Sequence, residues 1–138
     1  MSERIKTLEL ESFFSLPGWV GDQELLAYLA TADVCLAPDP PVQLNKLSTF
    51  IKIMEYMSCG KVTVCFDLLK SRRTAGDTAV FVGRDDPAEF AEAIEQILDD
   101  GRRRCEMGNA ARERSLRLHW GFSQEVLIGT YEKLFSAK

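Results

Sequence analysis

The apolar positions along the chain change period several times, and each change marks an element. Residues 13–20, FFSLPGWV, are an apolar run interrupted by Pro17-Gly18, which reads as a short strand broken by a turn. Asp22 can cap a helix in which Leu25, Leu26 and Leu29 share one face, ending near Asp33. VCLAP, residues 34–38, is a continuous apolar run, the pattern of a strand buried on both faces. DPPVQLN, residues 39–45, reads as a loop because prolines and Asn disfavour both ladders and helices. Ser48 or Thr49 can open a helix that Gly60 closes. Phe50, Ile53, Met54 and Met57 lie on one face of it, and Ser48, Lys52, Glu55 and Cys59 on the opposite one.

The second half continues the alternation. KVTVCF, residues 61–66, is β-branched and reads as a strand; residues 67–78 read as a long polar loop; AVFV, residues 79–82, is a further strand. Asp86-Pro87 followed by Glu89 is a strong helix start, with a cap, a proline at the first position and an acid in the first turn. That helix carries Phe90, Ile94, Ile97 and Leu98 and stops at Asp99-Asp100-Gly101. A basic helix follows over about 102–118, and Ser123 opens a last one ending near Phe135. Strands alternating with helices predict an α/β fold, a Rossmann-like parallel sheet with helices on both faces. In such sheets ligands sit outside the carboxyl ends of the strands, against helix N-termini. The loops after 34–38 and 61–66 are therefore the candidate site.

Composition narrows the classes. A length of 138 residues, nearly half of them apolar, suits one domain with a real core and argues against disorder. The net charge of −4 argues against a protein built mainly to hold nucleic acid. Cys35, Cys59, Cys65 and Cys105 form no C-x-x-C pair, so no metal centre is expected, and three of the four lie in or beside apolar segments, which reads as reduced core thiols of a cytoplasmic protein. The N-terminus has no signal-peptide pattern and no apolar run is long enough to span a bilayer. The run Arg102, Arg103, Arg104, Arg112, Arg114 and Arg117, interleaved with Glu106 and Glu113, reads as a solvated helix face, with a peripheral membrane or partner surface as the lesser reading. His119, beside Trp120, reads as structural, and Asp67 as a turn cap. From spacing alone, an exposed i,i+3 ion pair explains Lys52 and Glu55 better than a ligand site does.

A family likeness tips that balance. PGWVGDQELLAYLATADVCLAP followed by K-x-x-E-Y-M-x-C-G-K-x-x-V resembles the C-terminal, donor-binding part of group 1 (family 4) glycosyltransferases of the GT-B fold. FDLLKSRRTAGDTAVFV, DDPAEFAEAIEQILDD, RRRCEMGNAARER and HWGFSQEVLIGTYEKLF agree in order and spacing. The phrases EYM-x-C-G-K and FDLLKSRRTAGD look closest to bacterial members that build surface polysaccharides. The resemblance runs from about Phe13 to Phe135, so residues 13–138 read as the donor-binding domain and 1–12 as an N-terminal extension.

The resemblance implies a nucleoside-diphosphate sugar as donor, a glycan or lipid acceptor, transfer with retention, and no cofactor. Glu55 would accept hydrogen bonds from the ribose hydroxyls, since a carboxylate offers only acceptors. Gly18, Trp19 and Val20 would lie against the base. Ser48 and Thr49 at the helix start, with Asn45, Lys46 and Lys52, would face the diphosphate or sugar. Arg72 and Arg73 stand in the next loop as further contacts. In much of the family a Glu lies eight positions before the ribose Glu; Leu47 stands there in this chain. The family's first two strands of this domain, central in its sheet, with an Arg and a Lys that clamp the diphosphate, and its acceptor-binding N-terminal domain have no counterpart in these residues. The chain is thus expected to be part of a longer or split enzyme. The alternatives are a non-catalytic partner module, self-association through unpaired strand edges, and a flavodoxin- or receiver-like domain, which lacks the acidic strand ends a receiver needs.

Overall fold

The structure, a computed structural model, describes residues 2–83 and 85–136. Among these, three parallel strands form one sheet in chain order: β1 (Val34–Ala37), β2 (Val62–Phe66) and β3 (Ala79–Val82). Val34 lies opposite Val62, and Thr63 opposite Ala79. Every residue of the central β2 is buried, as its continuous apolar run requires.

After the N-terminal α1 (Ser2–Thr7), the helices that pack on the sheet divide between its two faces. Val62, Val64 and Phe66 point toward α6 (Pro87–Asp99), where Phe90 and Ile97 complete one cluster; the Phe66 and Phe90 rings are 4.9 Å apart. Cys65 points the other way, to Ile53 and Met57 of α4 (Ile51–Ser58), Ala75 of α5 (Leu69–Ala75) and Ala111 of α7 (Gly101–Ser115). The expected sheet with helices on both faces is the observed architecture.

Helix ends explain much of the order. Asp86 caps α6 by accepting from the Ala88 N–H at 2.8 Å, with Pro87 at the first position. Asp100 caps α7 in the same way through Arg103 N–H. At the end of α4, Gly60 takes φ +67°, so its N–H reaches Met57 O and the Lys61 N–H reaches Tyr56 O. This paired closure needs a residue without Cβ strain. Helices α4 and α7 touch backbone to backbone: a Cβ added at Gly108 would lie 2.3 Å from Gly60 O.

Several expectations differ from the structure. Residues 13–20 form no strand. A 3-10 turn over Glu11–Phe13 is followed by irregular chain, because no neighbouring strand is there to take up its backbone groups. Helix α2 (Asp22–Thr31) is capped by Gly21, not Asp22, and buries Leu29 while Leu25 and Leu26 stay exposed. The loop over 39–45 contains the start of a short helix, α3 (Gln43–Leu47). The polar stretch 67–78 holds α5; its buried residues are Ser71, Thr74 and Ala75, so small side chains hide the helical period from a hydrophobicity reading. Helix α4 begins at Ile51 with Phe50 as its cap residue, so neither Ser48 nor Thr49 caps it; Ser48 Oγ donates instead to Leu44 O of α3. Helix α8 (Trp120–Ser136) starts three residues before Ser123, its first turn closed by the Gly121 N–H donating to His119 Nδ1 at 2.9 Å.

The basic face of α7 is not merely solvated. Arg104 Nη1 donates to Ile97 O and Leu98 O at the end of α6, Arg112 to Ser58 O at the end of α4, and Arg114 to Thr74 O and Arg73 O at the end of α5. One helix thus satisfies terminal carbonyls of three others, each a favourable site for a cation.

Candidate functional site at the carboxyl ends of the strands

The chain leaves β1 through Pro38, Asp39, Pro40 and Pro41, whose prolines restrict φ and stiffen the turn. Pro40 O accepts from Asn45 Nδ2 at 2.9 Å and from the Val42 N–H at 2.7 Å, which ties the turn to α3. The chain then crosses back along α4, whose N-terminus therefore lies beside the end of β1.

Lys52, in the first turn of α4, does not pair with Glu55. Its Nζ donates to Asp39 Oδ1 at 2.8 Å and lies 2.7 Å from the buried Oδ2, at an angle that makes the second contact ionic rather than a hydrogen bond. The Lys52 side chain keeps 35% of its surface exposed and Asp39 keeps 20%. The ammonium also sits 5.2 Å from the centre of the Phe50 ring.

The end of β2 repeats the arrangement. Asp67 takes both arms of Arg72, with Nε to Oδ1 at 2.8 Å and Nη2 to Oδ2 at 2.6 Å, and the guanidinium lies 4.4 Å over the Phe81 ring. The Arg72 hydrogen bond holds the Asp67 carboxyl below its usual range. Asp67 is therefore an ion-pair partner rather than a turn cap. Arg73 is exposed and contributes its carbonyl to Arg114.

Glu55 is exposed and lines a cavity of about 230 Å³ between α4 and α2, together with Asp22, Leu25, Leu29 and Cys59. Gly18, Trp19 and Val20 do not line it. They precede it in the chain, and Asp22, two residues past Val20, forms part of its wall. Trp19 is 93% exposed. Tyr56, next to Glu55, donates to Leu36 O at 3.4 Å; burial pushes its phenol up, with smaller contributions from Cys35, Glu55 and Asp39. The structure thus gathers Lys52, Asn45 and Glu55 on or beside α4. Lys46, exposed on α3, and Thr49, exposed just before α4, stand nearby, and the Ser48 N–H is taken up by Asn45 O. Arg72 and Arg73 lie on the separate α5.

A larger cavity of about 460 Å³ opens on the other sheet face, among Pro38, Pro40, Phe66, Pro87, Phe90 and Ile94. Among the described residues no group of three or more His, Cys, Asp or Glu could hold a metal ion. No helix there is long and apolar enough to cross a membrane.

Asp39 was not singled out from the sequence. The signal that could have found it is an acid two residues past a buried strand, set between prolines, with a cation in the first turn of the next helix.

Comparison with protein-family models shows one family for the chain. A family model described as "Glycosyl transferases group 1" matches residues 1–100. A D-inositol 3-phosphate glycosyltransferase of Corynebacterium diphtheriae is 41% identical over 111 residues, covering 79% of this chain and 25% of that protein. One of Kineococcus radiotolerans is 25% identical, covering 96% of this chain and 32% of its own length. In three dimensions the chain superposes on sucrose-phosphate synthase from Thermosynechococcus elongatus with a TM-score of 0.79 at 22% identity, over 99% of this chain and 34% of that one. The chain spans about a quarter to a third of the length of these proteins.

Proposed function

The chain belongs to the group 1 glycosyl transferases, and from that premise we propose that it is the donor-binding part of such an enzyme, holding a nucleoside-diphosphate sugar at the carboxyl ends of β1 and β2. The observation that carries this reading is the arrangement on α4: Glu55, exposed at the mouth of a cavity, stands one turn from Lys52, whose ammonium lies at the N-terminus of the same helix. Glu55 accepts from the vicinal ribose hydroxyls. Gly18, Trp19 and Val20 approach the base. Lys52 and the first N–H groups of α4, with Thr49, Asn45 and Lys46 nearby, face the diphosphate and sugar. Arg72 and Arg73 stand at the far side, Arg72 already held by Asp67.

In the chemical step the sugar leaves a nucleoside diphosphate on which negative charge grows. A cation and helix N–H groups fixed beforehand stabilise that charge without reorganising. Transfer with retention to a glycan or lipid acceptor, in bacterial surface-polysaccharide synthesis on the cytoplasmic side of the membrane, is the finer form of the reading. The curated relatives bear the name D-inositol 3-phosphate glycosyltransferase, so an inositol phosphate acceptor is the competing form. Either acceptor would be bound by a separate N-terminal domain. The apolar α8, with no buried residue, supports a role alongside such a domain.

The test is a calorimetric titration of the chain with UDP, GDP and ADP, beside Glu55→Ala. Binding of one nucleotide that the variant loses is expected. A folded chain that binds none would leave the second reading, a non-catalytic partner module.

A further inference from the structure

The geometry points to Asp39 as a positioning residue that acts through Lys52 to recognise the diphosphate, leaving the nucleoside untouched. This rests on the proposal that α4 carries a nucleoside-diphosphate site. A lysine at a helix N-terminus is a poor fixed cation by itself. Its stem has four rotatable carbons, and the helix's positive end repels the ammonium. Here both problems are met by Asp39. Its oxygens lie 2.7 and 2.8 Å from Nζ, and Oδ2 is buried. The carboxylate offsets the local positive charge and holds the ammonium in place.

Asp39 is itself held. Pro38 and Pro40 flank it, and Asn45 Nδ2 and the Val42 N–H both pin Pro40 O. The chain of support therefore runs from Asn45 through the Pro40 carbonyl to Asp39 and then to the ammonium. Lys52 remains reachable: its side chain is 35% exposed, and an ammonium has three N–H donors, of which Asp39 Oδ1 accepts one. A phosphate oxygen can take another without breaking the pair. The Asp67–Arg72 pair at the end of β2 is built on the same plan, a strand-end carboxylate, a cation from the following helix and an aromatic ring beneath it. Glu55 takes no part in either pair, so the ribose-binding and phosphate-binding halves of the site are separable by mutation.

The experiment is a calorimetric titration of the 138-residue chain with the nucleoside diphosphate it prefers and with the matching nucleoside. The chains compared are wild type, Asp39→Asn, Asp39→Glu, Lys52→Met, the Asp39→Asn/Lys52→Met double variant, and Glu55→Ala. Asp39→Asn is expected to lose about tenfold in diphosphate affinity, the size of one charge-assisted contact, with nucleoside affinity unchanged. Asp39→Glu recovers part of the loss, and Asp39→Asn adds nothing in the Lys52→Met background. Equal losses for nucleoside and diphosphate, or tighter diphosphate binding by Asp39→Asn, would overturn the proposal. Should Asp39→Asn fail to fold, Asp39→Glu decides: a loss confined to the diphosphate supports it, and unchanged or non-selective affinity overturns it. Glu55→Ala binding like wild type while the Asp39 split persists would sink the ribose assignment alone. A wild-type chain that binds no nucleotide would remove the site and this inference together.

Discussion

The block built from β2, α4, α6 and α7 and the pair of flanks formed by residues 13–20 and α8 use the same apolar residue types to opposite ends. In the block, Ile53, Val64, Ile97 and Ala111 have no exposed surface. On the flanks Phe13, Trp19, Val126 and Phe135 are each more than 70% exposed, and α8 buries nothing. Composition does not separate the two regions; neighbours do. The buried apolar residues of the block pack against one another across the sheet and the helix crossings, Asp86 and Asp100 cap the starts of α6 and α7, and arginines of α7 meet the ends of α4 and α6. The candidate site straddles the boundary, with Glu55 and Lys52 on the block and Gly18, Trp19 and Val20 on a flank.

The comparison breaks most easily at the contact of α4 with α7. Gly108→Ala drives a methyl into the Gly60 carbonyl, a backbone atom with no freedom to yield. The expected cost is about 3 kcal/mol, seen as a lower midpoint in urea denaturation. An unchanged midpoint would mean that the two helices are not in backbone contact. Next comes Arg114→Ala, which leaves Thr74 O and Arg73 O without their donor. It should cost about 1–2 kcal/mol and raise hydrogen exchange in α5 before the rest of the block.

These two positions show what the sequence could and could not reveal. β2 was legible because five consecutive strand-forming residues, Val62–Phe66, admit little else, and α6 because Asp86-Pro87 states its start. Helix α5 was not, because its buried face is Ser71, Thr74 and Ala75 and its end depends on Arg114, forty residues away in the chain. The arginines of α7 looked solvated because a cap acting at another helix leaves no local period. Glu55 and Lys52 were singled out by the family motif. Asp39 was not, since only the crossover back along α4 brings it to the ammonium.

Alkaline pH should also act on the sheet, through Cys35 of β1 and Cys65 of β2. Burial pushes the Cys65 thiol up to about 12 and Cys35 up to about 11, from an ordinary 9.0. A group whose pKa is raised by folding contributes its stability in full below the unfolded value and loses it as pH rises through the folded one. The melting temperature should hold steady up to about pH 8.5 and fall between pH 9 and 12, and a Cys65→Ala/Cys35→Ala chain should fall less over that window. Smallest of all in stability is Trp19→Ala, expected within about 0.5 kcal/mol of wild type because the ring is exposed. If Gly18, Trp19 and Val20 meet the base, the same change weakens nucleotide binding several-fold, so the residue separates stability from function.

The most direct test of a nucleotide site at this boundary is a backbone amide NMR titration of the labelled chain with UDP, GDP and ADP. The account predicts shifts confined to residues 18–22 and 39–56 for one of the three. Shifts along the Phe122–Thr130 groove of α8, or around Phe66 and Phe90 at the larger cavity, with α4 unmoved, would contradict it.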